Sequence, residues 1–318
     1  MCEQTRSSQK TTAMKKTIVI LLGPTAVGKS RTALRLAEIL KGEIVNCDSM
    51  QVYQGFDIGT DKVPEELRKK IPHHLVDILM PTQQFTAAEF VHLAVPAVSK
   101  ILEREHLPII TGGTGLYLKA LVSGLFPLDK KDPLIRHRLQ EEAEQKGLTH
   151  LRNKLKEVDP DYYNQIGAND KIRIIRALEV YYLTKKPISH HFKETKPPLH
   201  DFKIIKIGLK LERKVLYERI EKRVDDMFQR GIIKETKELL AAGVPENAPP
   251  FRALGYKQVL EFLRGEINRE EALSRTKTET RHYAKRQMTW FKKMDGIEWF
   301  YPDDLEDIVG FIRKGIKS

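Results

Sequence analysis

Cysteine is scarce in this chain of 318 residues, which contains only Cys2 and Cys47. Two cysteines cannot build a disulfide framework, and they cannot by themselves supply a thiolate-rich zinc site. Any metal chemistry in this protein is therefore expected to use oxygen ligands.

Long apolar runs and a targeting signal are lacking as well. No run approaches the roughly 18 apolar residues that a membrane span needs, although a hydrophobic fraction of 41% is typical of globular proteins. Residues 1–16 are polar and lack the apolar segment of a signal peptide, so we expect them to form a disordered leader; an organellar presequence is the weaker alternative. The sequence predicts a soluble, cytoplasmic protein that contacts no membrane.

Acidic residues are too few to balance the basic ones. The chain has 55 Lys and Arg against 43 Asp and Glu, a formal net charge of +12. Such a charge is high for an enzyme that acts only on small metabolites, and it favours a polyanionic partner. Lysine-rich faces that are simply solvated are the alternative explanation.

The most informative feature is a complete G-x-x-x-x-G-K-S loop between a β-branched run at 17–22 and an amphipathic segment that begins after Ser30. A strand before this loop and a helix after it are the context that a phosphate-binding loop requires; the alternative is an ordinary glycine-rich turn. Backbone N–H groups would surround a di- or triphosphate, Lys29 would add a charge, and Ser30 would hold Mg²⁺. The residues expected to bind the phosphates are Gly23, Pro24, Thr25, Ala26, Val27, Gly28, Lys29 and Ser30.

Strand and helix patterns alternate through the first 125 residues. Short apolar runs at 43–46, 75–79 and 108–111 are separated by segments of helical length, which predicts a parallel sheet wrapped by helices. Residues 129–200 have a helical pattern only, whereas strand patterns return at 202–207 and 297–301.

The expected fold class is therefore α/β, with a P-loop NTPase-like parallel sheet and an inserted all-helical subdomain. The predicted divisions are a leader at 1–16, a discontinuous catalytic domain with C-terminal helices at 17–128 and 201–318, and an inserted helical, basic subdomain at 129–200.

Chemistry-bearing residues follow two of the predicted strands. Asp48 comes after the second strand, at the edge of the sheet where ligands bind, so it is a Mg²⁺ ligand, a general base or a turn cap. The strand at 108–111 runs into Gly112-Gly113-Thr114-Gly115, where many ATP-hydrolysing proteins carry an acid. The glycines allow close approach of a planar group, which suits an acceptor pocket better than hydrolysis.

Basic residues cluster in the second half of the chain. Residues 275–293 contain seven Lys and Arg, with Glu279 as the only opposing acid, and interleaved aromatics suit contact with RNA. Residues 252–257 form a second basic turn. Arg219 and Arg223 lie four residues apart on an amphipathic helix, a spacing that would let both reach a phosphate. The same spacing is typical of solvated arginines, which is the interpretation we favour.

Together these residues resemble the tRNA dimethylallyltransferases, also called tRNA isopentenyltransferases, in their bacterial form, since the chain shows no C-terminal zinc finger. The loop alone occurs in many unrelated NTPases, whereas the ordered set is specific. The motifs that carry the resemblance are the loop at 23–30, Asp48-Ser49, Gln51-Val52-Tyr53, Asp57-Ile58-Gly59-Thr60, Gly112-Gly113-Thr114, Arg176-Ala177-Leu178-Glu179-Val180, Gly255-Tyr256 and Ala284-Lys285-Arg286-Gln287.

The resemblance implies transfer of a dimethylallyl group from its diphosphate to the N6 amine of the adenosine 3′ to the anticodon, assisted by Mg²⁺. Asp48 would be the general base, with Lys29 and Thr114 as further catalytic residues. The expected partners are the diphosphate and the anticodon stem-loop of tRNA, which the inserted subdomain at 129–200 would help to bind. The protein is expected to be a monomer. The implied tRNA contacts are Asp48, Ser49, Met50, Gln51, Thr114, Arg136, Ile172, Arg173, Ile174, Ile175, Arg176, Arg252, Gly255, Tyr256, Lys257, Arg281, Lys285, Arg286 and Gln287.

Three other functions compete with this one. A P-loop kinase would bind ATP and use Asp48 as base on a hydroxyl acceptor, but it needs no extended cationic surface. A prenyltransferase acting on free adenylate would not need residues 129–200. A non-enzymatic RNA-binding module would leave Lys29, Ser30 and Asp48 unexplained.

Overall fold

The computed structural model of the chain describes residues 16–126 and 132–318. Residues 1–15 of the predicted leader, and the predicted boundary between residues 128 and 129, lie outside these residues. The described residues divide into two compact units, one made of the chain up to Leu121 together with Leu199–Ser318, and the other of Val122–Pro198. No helix in the described ranges is long and apolar enough to cross a membrane.

The first unit is built on six parallel strands. In sheet order β3-β2-β4-β1-β5-β6, β1 and β4 lie at the centre, which confirms the predicted parallel sheet. The strands are β1 (Thr17–Leu22), β2 (Gly42–Asn46), β3 (His73–His74), β4 (Leu107–Gly112), β5 (Lys203–Leu209) and β6 (Ile297–Phe300).

Helices cover this sheet, and helices alone make up the regular structure of the second unit in its described part. In the first unit they are α1 (Lys29–Leu40), α2 (Glu65–Lys70), α3 (Ala87–Glu103), α4 (Gly115–Ser123), α10 (Arg213–Arg230), α11 (Ile232–Ala241), α12 (Tyr256–Leu263), α13 (Arg269–Phe291) and α14 (Leu305–Lys317), α4 ending just past the unit boundary. In the second they are α5 (Pro133–Lys146), α6 (Leu148–Val158), α7 (Pro160–Gln165), α8 (Lys171–Thr184) and α9 (Ile188–Glu194).

Register explains how the site is assembled. Because β4 pairs with β2 on one side and β1 on the other, Asn46 lies opposite Thr111 and Leu22 opposite Gly112. The segments that leave β1, β2 and β4 therefore meet at one edge of the sheet. This is the edge at which open α/β sheets bind ligands.

The predicted strand at 75–79 is wrong. Leu75 and Asp77 have φ angles of +62° and +56°, in the left-handed region, and extended pairing cannot pass through such residues. The strand is limited to His73–His74, and beyond it only an isolated bridge joins Leu79 to Tyr53.

The apolar face of α10 divides between two cores, rather than packing on the sheet alone as expected. Leu216 and Ile220 belong to the core against the sheet. Val224, Met227 and Phe228 instead belong to a second core, formed with α11, α12 and the loop after β2. The helix thereby ties the sheet to these elements.

Candidate active site

The loop after β1 forms a phosphate-binding turn at the start of α1. Gly28 caps the helix with a φ of +110°, a conformation that side chains with a Cβ rarely adopt. Lys29 Nζ is folded back on the turn and donates to the carbonyl oxygens of Gly23 (2.9 Å) and Pro24 (2.8 Å). Burial, followed by the neighbouring Arg223, lowers the pKa of Lys29 to about 7. An anion at the loop would offset both effects.

Asp48 lies two residues beyond Asn46, the last residue of β2. Its Oδ1 accepts a hydrogen bond from the backbone N–H of Met50 at 2.8 Å, which fixes the carboxylate, and Oδ2 accepts none from the described residues. The side chain is half-buried and lines the same cavity as the loop. One carboxylate oxygen is thus held and the other is available to a ligand.

Thr114 joins the ends of β2 and β4. Its backbone N–H donates to Cys47 O at 3.3 Å, and its Oγ1 accepts from Ser49 N at 3.1 Å. The threonine therefore holds the segment that carries Asp48 in place.

The two glycines before Thr114 serve the protein's own packing. A Cβ on Gly112 would lie 2.0 Å from Cys47 O, and one on Gly113 would lie 2.2 Å from Gln287 Nε2. Close packing inside the protein therefore already requires both glycines. Both also line the cavity, so the expectation that they admit a planar group stays a prediction.

Thr111 is the unusual residue at the end of β4. Its Oγ1 is buried and has no hydrogen-bond partner among the described residues, and the residue lines the cavity. A buried polar atom without a hydrogen-bond partner destabilises the folded protein, so a ligand or water that bonds to this hydroxyl would remove that destabilisation. A neutral hydroxyl thus stands near where many ATPases carry an acid.

These segments enclose a cavity of about 690 Å³ in the first unit. Its lining combines the phosphate loop, Asp48, the end of β4 and cationic side chains from α10. The lining residues include Thr25, Gly28, Lys29, Ser30, Asn46, Asp48, Gln51, Thr60, Asp61, Thr111, Gly113, Arg219, Arg223, Arg230, Tyr283 and Gln287.

Arg219 and Arg223 contact the loop, so the preference for solvated side chains is wrong. Arg219 Nη1 donates to Val27 O at 3.3 Å, and Arg223 Nη1 donates to Thr25 Oγ1 at 3.0 Å. Arg223 also pairs with Asp61 at 3.4 Å. Their four-residue spacing was visible in the sequence, but the packing of α10 beside the loop was not.

Gln287 of α13 is a structural brace for the loop. It is 5% exposed, its Oε1 accepts from Thr25 N at 2.8 Å, and its Nε2 donates to Gly113 O at 2.9 Å. One amide thus connects the phosphate loop to the end of β4.

The implied tRNA contacts differ in burial. Ile174, Ile175, Tyr256 and Gln287 are at most 5% exposed, so the structure lends no support to direct contact of these side chains with RNA. Ile172 is 77% exposed. Gly255 is also buried, Ser49, Met50 and Gln51 are half-buried, and Arg136, Arg173, Arg252, Lys257, Lys285 and Arg286 are exposed.

The basic run of α13 is less free than its sequence indicated. Arg281 pairs with Glu221 at 2.8 Å and Lys277 with Asp225 at 2.7 Å, both acids lying on α10. Lys285 and Arg286 have no ion pair among the described residues, and Arg286 lies 5.8 Å from the centre of the Tyr283 ring. In the second unit, Arg136 and Arg176 both approach Glu179, at 3.9 and 3.1 Å.

Comparison with known proteins gives one family. The family model for IPP transferases matches residues 51–294. The chain is 44% identical over 292 residues to the tRNA dimethylallyltransferase of Acetivibrio thermocellus, covering 91% of this chain and 93% of the relative. It is 46% identical to the enzyme of that name from Caldanaerobacter subterraneus, covering 90% and 92%.

Solved structures agree with that assignment. The tRNA isopentenylpyrophosphate transferase of Bacillus halodurans superposes with a TM-score of 0.71 at 38% identity, over 95% of this chain and 97% of the other. A eukaryotic dimethylallyltransferase crystallised acting on tRNA gives a TM-score of 0.79 at 31% identity, over 94% and 77%. The chain belongs to the IPP transferase family, that of the tRNA dimethylallyltransferases.

Proposed function

We propose that this protein transfers a dimethylallyl group from dimethylallyl diphosphate to the N6 amine of the adenosine 3′ to the anticodon in tRNA. One observation carries the proposal: a phosphate loop and a carboxylate share one cavity, while the strand between them ends in neutral residues. Such a site suits departure of a diphosphate and deprotonation of an amine. Family membership supports the same reaction.

The diphosphate would lie on the loop at Thr25–Ser30. Backbone N–H groups at the start of α1, together with Lys29, Arg219 and Arg223, supply positive charge where the leaving group gains negative charge. No acidic residue lies in the first turn of α1 to oppose it.

The transfer step breaks the bond between C1 of the allyl group and the diphosphate oxygen and forms a bond from C1 to N6. The proton of N6 passes to Asp48, and pyrophosphate leaves. Asp48 suits the base because it lines the cavity, one of its oxygens is fixed by Met50 N, and the other accepts no hydrogen bond from the described residues. Thr114 would hold the segment that carries Asp48 in place.

Mg²⁺ fits the oxygen donors of this cavity. Ser30, Asp48 and the unpaired hydroxyl of Thr111 line it, and Mg²⁺ is commonly held by one or two protein oxygens together with substrate phosphates. The described residues contain no cluster of three or more acidic, His or Cys ligands, so a cage made by protein alone is not expected. When bound, the ion would neutralise charge on the leaving diphosphate.

The tRNA would be held by exposed cations on both units. Lys285, Arg286, Arg252 and Lys257 lie on the first unit, and Arg173 with the exposed Ile172 lies on the second. Phosphate contacts would supply affinity, and the target adenosine would leave its stack to reach the cavity. Because tRNA is the substrate, the cytoplasm is the expected location.

The test is to incubate the protein with Mg²⁺, dimethylallyl diphosphate and undermodified tRNA, and to weigh the digested nucleosides. One adenosine per tRNA should gain a C5H8 unit, while the Asp48→Asn variant should give far less product. A second reaction contains labelled ATP in place of the allylic donor. Transfer of its phosphate, without a mass gain on tRNA, would show that the protein is a kinase.

A further inference from the structure

The loop at 57–61 forms one wall of the cavity without belonging to the phosphate loop or to Asp48. Thr60 and Asp61 line the cavity, and Gln51 Nε2 donates to Thr60 O at 3.0 Å. Asp61 pairs with Arg223 at 3.4 Å and with Arg230 at 3.5 Å. The position of this loop therefore decides where an arginine beside the phosphate site is held.

Two side chains from outside the site capture the backbone of this loop. Glu235 Oε2, on α11, accepts from the N–H groups of Asp57 (3.2 Å) and Ile58 (2.9 Å). The next N–H, of Gly59, donates to the hydroxyl oxygen of Tyr256 at 3.1 Å. The Tyr256 hydroxyl donates in turn to Glu235 Oε1, so the acid and the phenol hold three successive N–H groups.

The ring of Tyr256 packs tightly against the 57–61 loop. Tyr256 is fully buried, and its ring packs edge-on against Phe56 with centroids 4.9 Å apart. A Cβ on Gly59 would lie 2.3 Å from the ring, so the loop backbone lies directly on the phenol. Burial, followed by the charge of Glu235, raises the pKa of the Tyr256 hydroxyl, which keeps it protonated as a donor.

We propose that Glu235 and Tyr256 are positioning residues that hold the 57–61 loop so that Asp61 orients Arg223 at the phosphate loop. The chain of contacts runs from Tyr256 and Glu235 to the loop backbone, from Asp61 to Arg223, and from Arg223 to Thr25 Oγ1. This role rests on the proposed function, since it assigns Arg223 to the diphosphate. Tyr256, which the resemblance implied to be a tRNA contact, is thereby assigned a positioning role.

The test uses Tyr256→Phe, which removes the hydroxyl and leaves the ring. Inorganic pyrophosphate, titrated calorimetrically in the presence of Mg²⁺, should bind about tenfold more weakly than to the parent, the scale of one lost hydrogen bond in a buried network. Amide exchange of residues 57–59 should accelerate. Tyr117→Phe is the matched control, because Tyr117 is buried and donates to Phe85 O at 3.0 Å outside the cavity lining.

A double-mutant cycle distinguishes positioning from general stability. In an Asp61→Asn background, Tyr256→Phe should cause little further loss of pyrophosphate affinity, because the connection to Arg223 is already cut. Additive losses, or equal affinity of Tyr256→Phe and the parent, would overturn the inference. If Tyr256→Phe does not fold, Glu235→Gln, which keeps one accepting oxygen on the loop, takes its place in the cycle. A parent that binds no pyrophosphate would instead overturn the proposed function.

Discussion

Lys29 makes the binding of pyrophosphate depend on pH in a defined direction. With a pKa of about 7 in the free protein, against an ordinary 10.5, the amine would be about nine-tenths neutral at pH 8 and about one-tenth neutral at pH 6. An anion beside Nζ favours the charged form and raises this pKa, so binding at pH 8 should take up close to one proton. Affinity should therefore fall about tenfold between pH 6 and pH 8 through Lys29 alone.

Calorimetric titrations at both pH values, in two buffers that differ in ionisation enthalpy, give the affinity and the number of protons taken up. The ligand's own titration contributes as well, and Lys29→Arg serves as the control because a guanidinium does not titrate in this range. The difference between the two proteins isolates the lysine. Parallel pH profiles of the parent and Lys29→Arg, with no extra proton uptake by the parent, would refute this reasoning.

Three further predictions concern the base, the RNA surface and the brace of the loop. Asp48→Asn should reduce turnover by about 10²- to 10⁴-fold in single-turnover assays while pyrophosphate and tRNA binding stay near parental values; full activity would exclude the base assignment. Changing Lys285 and Arg286 to Gln should make the slope of log affinity for tRNA against log salt shallower by about one to two units. Arg281→Gln should change this slope less, because Arg281 already pairs with an acid. Equal slopes for the parent, the double variant and Arg281→Gln would mean that the RNA binds elsewhere. Gly113→Ala should displace the Gln287 amide, because the Cβ of the alanine would lie 2.2 Å from Gln287 Nε2. Pyrophosphate binding should weaken as a result. Unchanged affinity would mean that the hydrogen bonds of Gln287 to the loop are dispensable.

Local patterns were sufficient for the parallel sheet and for the central elements of the site. The phosphate loop needs a strand, a glycine with positive φ and a helix in succession, and the residue pattern of 17–40 predicts all three. Asp48 was placed correctly because any residue that follows a parallel strand lies at the same edge as that loop. The basic character of the second half was also visible, since composition does not depend on folding.

Tertiary structure alone decided the partners that approach from far along the chain. Gln287 reaches Thr25 across 262 residues and Arg223 reaches it across 198, so their functions depend on how α13 and α10 pack rather than on any local pattern. The same packing pairs Arg281 and Lys277 with acids of α10 and buries Tyr256 beneath the 57–61 loop. Sequence periodicity shows which face of a helix is apolar, but the cores that this face joins, and the side chains it carries to the site, are determined only when the chain has folded.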